Sequence, residues 1–161
     1  MKLYVKQKFF SLIHDRFKVY DEAQQVIYEA HDKFFSIRNR TTLYDLQGHV
    51  VLELTRKIFS FVNTYYLNIN GEKEVSISRK FFDLRPRFYF TGLDLQVEGD
   101  FFAHDYNIIL NGAIIATIHK KWLAWSDTYE IDVKDEDHQI LAIGVVLAID
   151  CIFEDHQKSN S

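Results

Sequence analysis

Five of the seven histidines in this chain stand directly beside an aspartate. His14–Asp15, His31–Asp32 and His104–Asp105 run in that order, and Asp137–His138 and Asp155–His156 are reversed. Such pairs occur in metal-dependent phosphohydrolases, where neutral imidazoles and carboxylates share the ligation of a hydrolytic metal. Those enzymes collect their ligands from several helices. Here the surrounding segments read as strands and turns, and neighbouring residues on a strand point to opposite faces. The pairs are therefore expected to be solvated turn residues. The chain has no H-E-x-x-H, no G-x-S-x-G and no Gly-rich phosphate loop. Its one thiol, Cys151, lies in or just after an apolar segment and reads as a small, inert hydrophobe. No catalytic residue, metal ligand or cofactor is assigned. A small hydrolase built on the His/Asp pairs is the alternative, which convergence of those side chains in one cleft would favour.

Charge gives a second kind of chemistry. Residues 1–90 hold 15 Lys and Arg against 10 Asp and Glu, a net of +5, and residues 91–161 hold 4 against 13, a net of −9. Within the basic half, Arg79, Lys80, Arg85 and Arg87 fall in nine residues, beside Phe81, Phe82 and Phe88. Basic residues interleaved with aromatics suit an anionic lipid surface or a phosphorylated headgroup. Four such contacts at about 1 kcal/mol each give roughly millimolar affinity, too weak to act alone. A strand pair whose charges suppress edge-to-edge pairing is the competing reading. The whole chain is net −4, which argues against a nucleic-acid footprint.

Composition limits what must position these groups. The chain has 161 residues, of which 47% are hydrophobic and 16% aromatic, enough for a substantial core and too apolar for a disordered tail. One Cys cannot form an internal disulfide scaffold, and MKLYVKQKFF carries no apolar h-region of a secretion signal. The longest apolar run, Ile140 to Ile149, spans roughly 15 Å as a helix against about 30 Å for a bilayer core. A cytoplasmic protein without a transmembrane segment, able to sit at a membrane periphery, is the resulting expectation.

A repeat organises the chain. Lys8-Phe9-Phe10-Ser11-Leu12 returns as Lys33-Phe34-Phe35-Ser36-Ile37, as Lys57-Ile58-Phe59-Ser60-Phe61 and as Lys80-Phe81-Phe82-Asp83-Leu84. Weaker echoes follow at Asp100-Phe101-Phe102-Ala103 and Lys121-Trp122-Leu123-Ala124-Trp125. The spacing leaves room for two or three short strands per period. Between copies, Leu52 and Leu54, Val75 and Ile77, and Ile131 and Val133 alternate as strands do. Asn70-Gly71 and Asn111-Gly112 predict type I′ hairpins, with Gln47-Gly48 at the equivalent point of its own repeat. In each Lys-Phe-Phe unit one ring is expected to pack inward while its neighbour covers a barrel end or an outer groove.

From Asp137 onward the alternation stops, and HQILAIGVVLAIDCIF reads as a helix that is apolar on every face, capped by Asp135 or Asp137. Such a helix must be enclosed. A sheet of about twelve antiparallel strands must close to remove its edges. The two requirements meet in a mainly β fold: a closed barrel over about residues 3–134, threaded by a central helix over about 137–153, in one domain of residues 1–161. A lumen so filled argues against a small-ligand carrier barrel.

The opening KQKFFSL, the recurring FFS units, the N-G hairpins and the late segment AIGVVLAIDCI resemble the LURP-one-related family. That resemblance covers the whole chain and implies the tubby-like fold shared with phospholipid scramblases, twelve strands around a hydrophobic helix. It implies no catalytic motif. Tubby proteins bind phosphoinositides, a property that fold alone does not transfer. The expected function is a non-enzymatic binding module, with an anionic membrane surface as partner through Arg79, Lys80, Arg85 and Arg87.

Overall fold

A computed structural model of the chain describes residues 1–6, 16–33, 40–79, 87–122 and 127–159. Twelve strands run up and down in sequence order: β1 (Lys2–Lys6), β2 (Arg16–Tyr20), β3 (Val26–Lys33), β4 (Arg40–Asp45), β5 (Val50–Arg56) and β6 (Thr64–Ile69), then β7 (Lys73–Arg79), β8 (Phe88–Thr91), β9 (Leu95–Asp100), β10 (Asp105–Leu110), β11 (Ala113–Trp122) and β12 (Asp127–Val133). Every paired neighbour is antiparallel, and β1 closes onto β12 with Leu3 opposite Ile131 and Val5 opposite Tyr129. Only β8 and β9 lack a hydrogen-bonded ladder, so the barrel is nearly closed, with Phe88 and Phe101 in edge-to-face contact across that seam at 5.1 Å.

Turn chemistry sets the hairpins. Asn70 and Gly71, and Asn111 and Gly112, all have positive φ, as the type I′ turn demands. Away from the repeated units the inward positions of the strands are mainly apolar: Leu3 and Val5, Leu52 and Leu54, Leu67 and Ile69, Val75 and Ile77, and Ile131 and Val133 are buried. They face one helix. Asp135 caps a short 3₁₀ turn (Glu136–His138) by accepting the Asp137 N–H at 3.0 Å, and α1 (Gln139–Ser159) then runs through the lumen. Leu141 through Ile149 and Ile152 are buried. Gly144 lies where an added Cβ would stand 3.2–3.3 Å from the Leu52 and Leu67 side chains, so the backbone approaches the wall most closely there. The fold is the mainly β, helix-threaded barrel that the hydrophobic pattern predicts.

Candidate binding end of the barrel

Parity places the repeat. One period is one hairpin, so every Lys-Phe-Phe copy falls where an odd-numbered strand passes to the next even-numbered one. In an up-and-down barrel those six passages leave the strands at the same end. The turns after even-numbered strands, and the link from β12 into α1, lie at the other end. Copies one and four lie outside the described residues, as do most of copy two and residues 123–125 of copy six. Copies three and five are described. Copy five behaves as expected, with Phe101 buried and Phe102 71% exposed. Copy three has Ile58 and Phe59 in the paired positions, Ile58 half-buried and Phe59 fully in solvent with a left-handed φ of 56°, and Phe61 two residues on is fully exposed as well. A β5–β6 link between two tightly paired strands projects its rings past the strand ends rather than over the core.

The two ends differ in charge. By sequence, the six links at the repeat end (7–15, 34–39, 57–63, 80–87, 101–104 and 123–126) carry six Lys and Arg and two Asp and Glu, a net of +4. The links at the opposite end (21–25, 46–49, 70–72, 92–94, 111–112 and 134–138) carry one Lys and seven Asp and Glu, a net of −6. Side-chain charge is thus segregated along the barrel axis, which the comparison of chain halves only hinted at. The exposed apolar side chains of the acidic end are aliphatic, among them Leu46 and Ile114.

Beneath the exposed rings the lumen turns polar. The inward series of β7 continues from Val75 and Ile77 to Arg79, and that of β11 from Ala116 and Ile118 to Lys120. α1 meets this layer with two carboxylates. Asp150 accepts a short hydrogen bond from the Tyr129 hydroxyl and lies 4.0 Å from Lys120 Nζ. Asp155 accepts from the Tyr65 hydroxyl at 2.7 Å and lies 3.4 Å from Arg56 Nε. Lys120 Nζ also stands 4.9 Å from the Tyr129 ring centre, and His104 Nδ1 is 3.3 Å from the Tyr129 hydroxyl. Burial pushes the Tyr65 and Tyr106 hydroxyls far above the ordinary phenol range, and the neighbouring Cys151 and Asp150, respectively, add to it. This layer was not singled out from the sequence. The signal was there: Asp150 interrupts the apolar run, and Arg79 sits two residues after Ile77 on an alternating strand.

The predicted membrane contacts separate in space. Arg79 is only 8% exposed, its guanidinium 5.0 Å from the ring centre of Phe153. Arg87 is exposed at the start of β8. Lys80 and Arg85 lie outside the described residues. Among the described residues the His/Asp pairs do not converge in one cleft. His31 meets Tyr44 edge-to-face, Asp105 pairs with His119 at 3.1 Å, and Asp155 is held by Tyr65; His14 and Asp15 lie outside the described residues. Among the described residues no group of three His, Cys, Asp or Glu is placed to hold a metal ion, and no helix is long and apolar enough to cross a membrane.

A nearly closed barrel of twelve antiparallel strands, threaded by its own C-terminal helix and carrying one aromatic, cationic end, defines the structural class. The LURP-one-related family model matches residues 1–150, and the chain belongs to that family. It is 24% identical over 160 residues to the uncharacterised protein YxjI of Bacillus subtilis, covering 99% of this chain and 98% of the relative. A crystal structure of a protein from Arabidopsis thaliana has the same fold, with a TM-score of 0.61 at 15% identity over 93% of this chain and 91% of that one.

Proposed function

We propose that the protein is a non-enzymatic binding module that docks end-on onto an anionic membrane surface. The observation that carries this reading is the coincidence, at one barrel end, of exposed Phe59, Phe61 and Phe102 with a net charge of +4 in the links around them. Lys57 and Arg87 are the described cations of that surface; Lys80 and Arg85 belong by sequence to the β7–β8 link and lie outside the described residues. Arg79, turned inward, is not one of its outer contacts. Four net charges near anionic headgroups contribute about 4 kcal/mol, and three partly inserted rings add roughly 3 kcal/mol more. Together they correspond to a Kd of about 10 µM, where the basic residues alone give millimolar. The acidic end, at −6, is repelled by the same surface and fixes the orientation.

Cosedimentation with vesicles of phosphatidylcholine, with and without phosphatidylserine, across a salt series tests this. Binding is expected only with phosphatidylserine, weakening as salt rises. Phe59→Ser, Phe61→Ser and Phe102→Ser together are expected to weaken it about a hundredfold, to the millimolar level of the charges alone. Equal binding to neutral vesicles, or none to either, overturns the reading.

A further inference from the structure

Three cations among the described residues point into the lumen at the repeat end: Arg56, Arg79 and Lys120. α1 supplies a carboxylate to two of them, Asp155 to Arg56 at 3.4 Å and Asp150 to Lys120 at 4.0 Å. Arg79 receives none. Its Nε and Nη1 atoms are buried without a hydrogen-bond partner among the described residues, and its guanidinium lies over the Phe153 ring. A guanidinium presents five donors in a planar fork and is not deprotonated to relieve burial. Leaving such a charge enclosed and unpaired is among the most unfavourable arrangements a fold can retain. Burial lowers the Arg79 pKa, and among the described residues no carboxylate acts against it.

Phe153 places this group directly below the exposed aromatic surface. Its ring lies 5.9 Å from Phe88, 5.7 Å from His104 and 6.2 Å from Phe102, the last of which stands largely in solvent. The geometry points to Arg79 as the receptor for an oxyanion entering from the repeat end, a phosphate group whose oxygens take up the unmatched Nε–H and Nη1–H donors while Phe153 supports the guanidinium from its other face. Phosphate on a lipid headgroup and free phosphate share that chemistry. The lipid form rests on the membrane-docking reading, and the free form does not.

The test follows thermal unfolding of wild type, Arg79→Met and Arg79→Lys, with inorganic phosphate titrated against chloride at matched ionic strength. Phosphate at about ten times its Kd is expected to raise the wild-type Tm by about 3–6 °C at this chain length. Arg79→Met is expected to unfold at a higher temperature than wild type without phosphate, because an unpaired buried charge is gone, and to lose the phosphate response. A merely structural arginine gives the opposite sign. Arg79→Lys keeps the charge but not the fork, and its response is expected to fall without the rise in Tm. The Arg79 Nε–H NMR resonance, followed with inorganic phosphate and separately with phosphatidate-containing vesicles, separates the two sources. A shift with phosphate alone assigns the site to a soluble oxyanion; a shift with vesicles assigns it to a headgroup. A phosphate response retained in Arg79→Met, or no response of the wild type to either probe, overturns the site. Unchanged vesicle binding by Arg79→Met in that case leaves the docking surface standing.

Discussion

Replacing Asp150 with Leu removes the carboxylate that the middle of the buried helix presents to Lys120 on the barrel wall. At 4.0 Å and an effective dielectric constant of about 20, their attraction is about 4 kcal/mol. The Tyr129 hydroxyl loses its short bond to Asp150 as well, with His104 Nδ1 at 3.3 Å left as its neighbour, which costs up to about 1 kcal/mol. The single substitution is therefore expected to cost about 4–5 kcal/mol, within the range for breaking a buried pair. Lys120→Met costs less, about 3 kcal/mol, since Asp150 keeps the Tyr129 donor. The double variant Asp150→Leu/Lys120→Met buries no charge and is expected to lie within about 2 kcal/mol of wild type, well short of the summed singles. Urea unfolding followed by tryptophan fluorescence measures all four proteins, provided the slope with denaturant stays constant. A double variant that loses the sum of the two singles refutes the pairing and, with it, the view that α1 supplies Lys120 with its counter-charge.

Three further outcomes follow from the geometry. Glu130 accepts from Lys121 at 2.8 Å and Lys2 at 2.9 Å, which hold its carboxyl down to about 2 from an ordinary 4.5. Its folded pKa is depressed, so the stabilisation is complete above about pH 4.5 and is lost as pH falls toward 2; Glu130→Gln is expected to flatten acid unfolding over that window by about 1 kcal/mol after solvent screening of the exposed lysines, measured by pH-dependent Tm. Gly99 has φ +146° and would place a Cβ 2.4 Å from the Asp105 carbonyl oxygen and 2.6 Å from Tyr106 Cα. Gly99→Ala is expected to break the β9–β10 ladder at more than about 2 kcal/mol, read as lost hydrogen-exchange protection across residues 95–100. Ile143→Ala, at a fully buried site on α1, is expected to cost about 2–5 kcal/mol, whereas Phe59→Ala stays within about 0.5 kcal/mol because that ring touches only solvent. Equal costs in urea unfolding contradict the assignment of inside and outside.

The architecture was legible because each of its levels speaks in sequence. Asn-Gly at 70–71 and 111–112 marks hairpins by backbone sterics, and an apolar run with no polar face demands enclosure. The resemblance to LURP-one-related proteins carried by the FFS units agrees with the family match over residues 1–150. The site was less legible for two physical reasons. Lys-Phe-Phe looks the same whether its rings turn inward, as Phe101 does, or outward, as Phe59 and Phe61 do, because local pattern does not encode how far a link extends beyond its strands. The basic cluster from 79 to 87 also crosses a strand end, so Arg79 continues the inward series of β7 while Arg87 faces solvent. Strand parity holds the missing information. Two strands per repeat send every copy to the same end of the barrel, and the opposing charges of the two ends follow from the sequence once that is counted.

End-on docking is tested most directly by an environment-sensitive fluorophore placed at each end in turn. In a Cys151→Ser background, one protein carries Phe59→Cys and another Glu72→Cys, each labelled with a nitrobenzoxadiazole and mixed with phosphatidylserine-containing vesicles. A blue shift and intensity rise at position 59, with none at position 72, is the predicted result. A response of equal size at both positions, or at position 72 alone, contradicts the account.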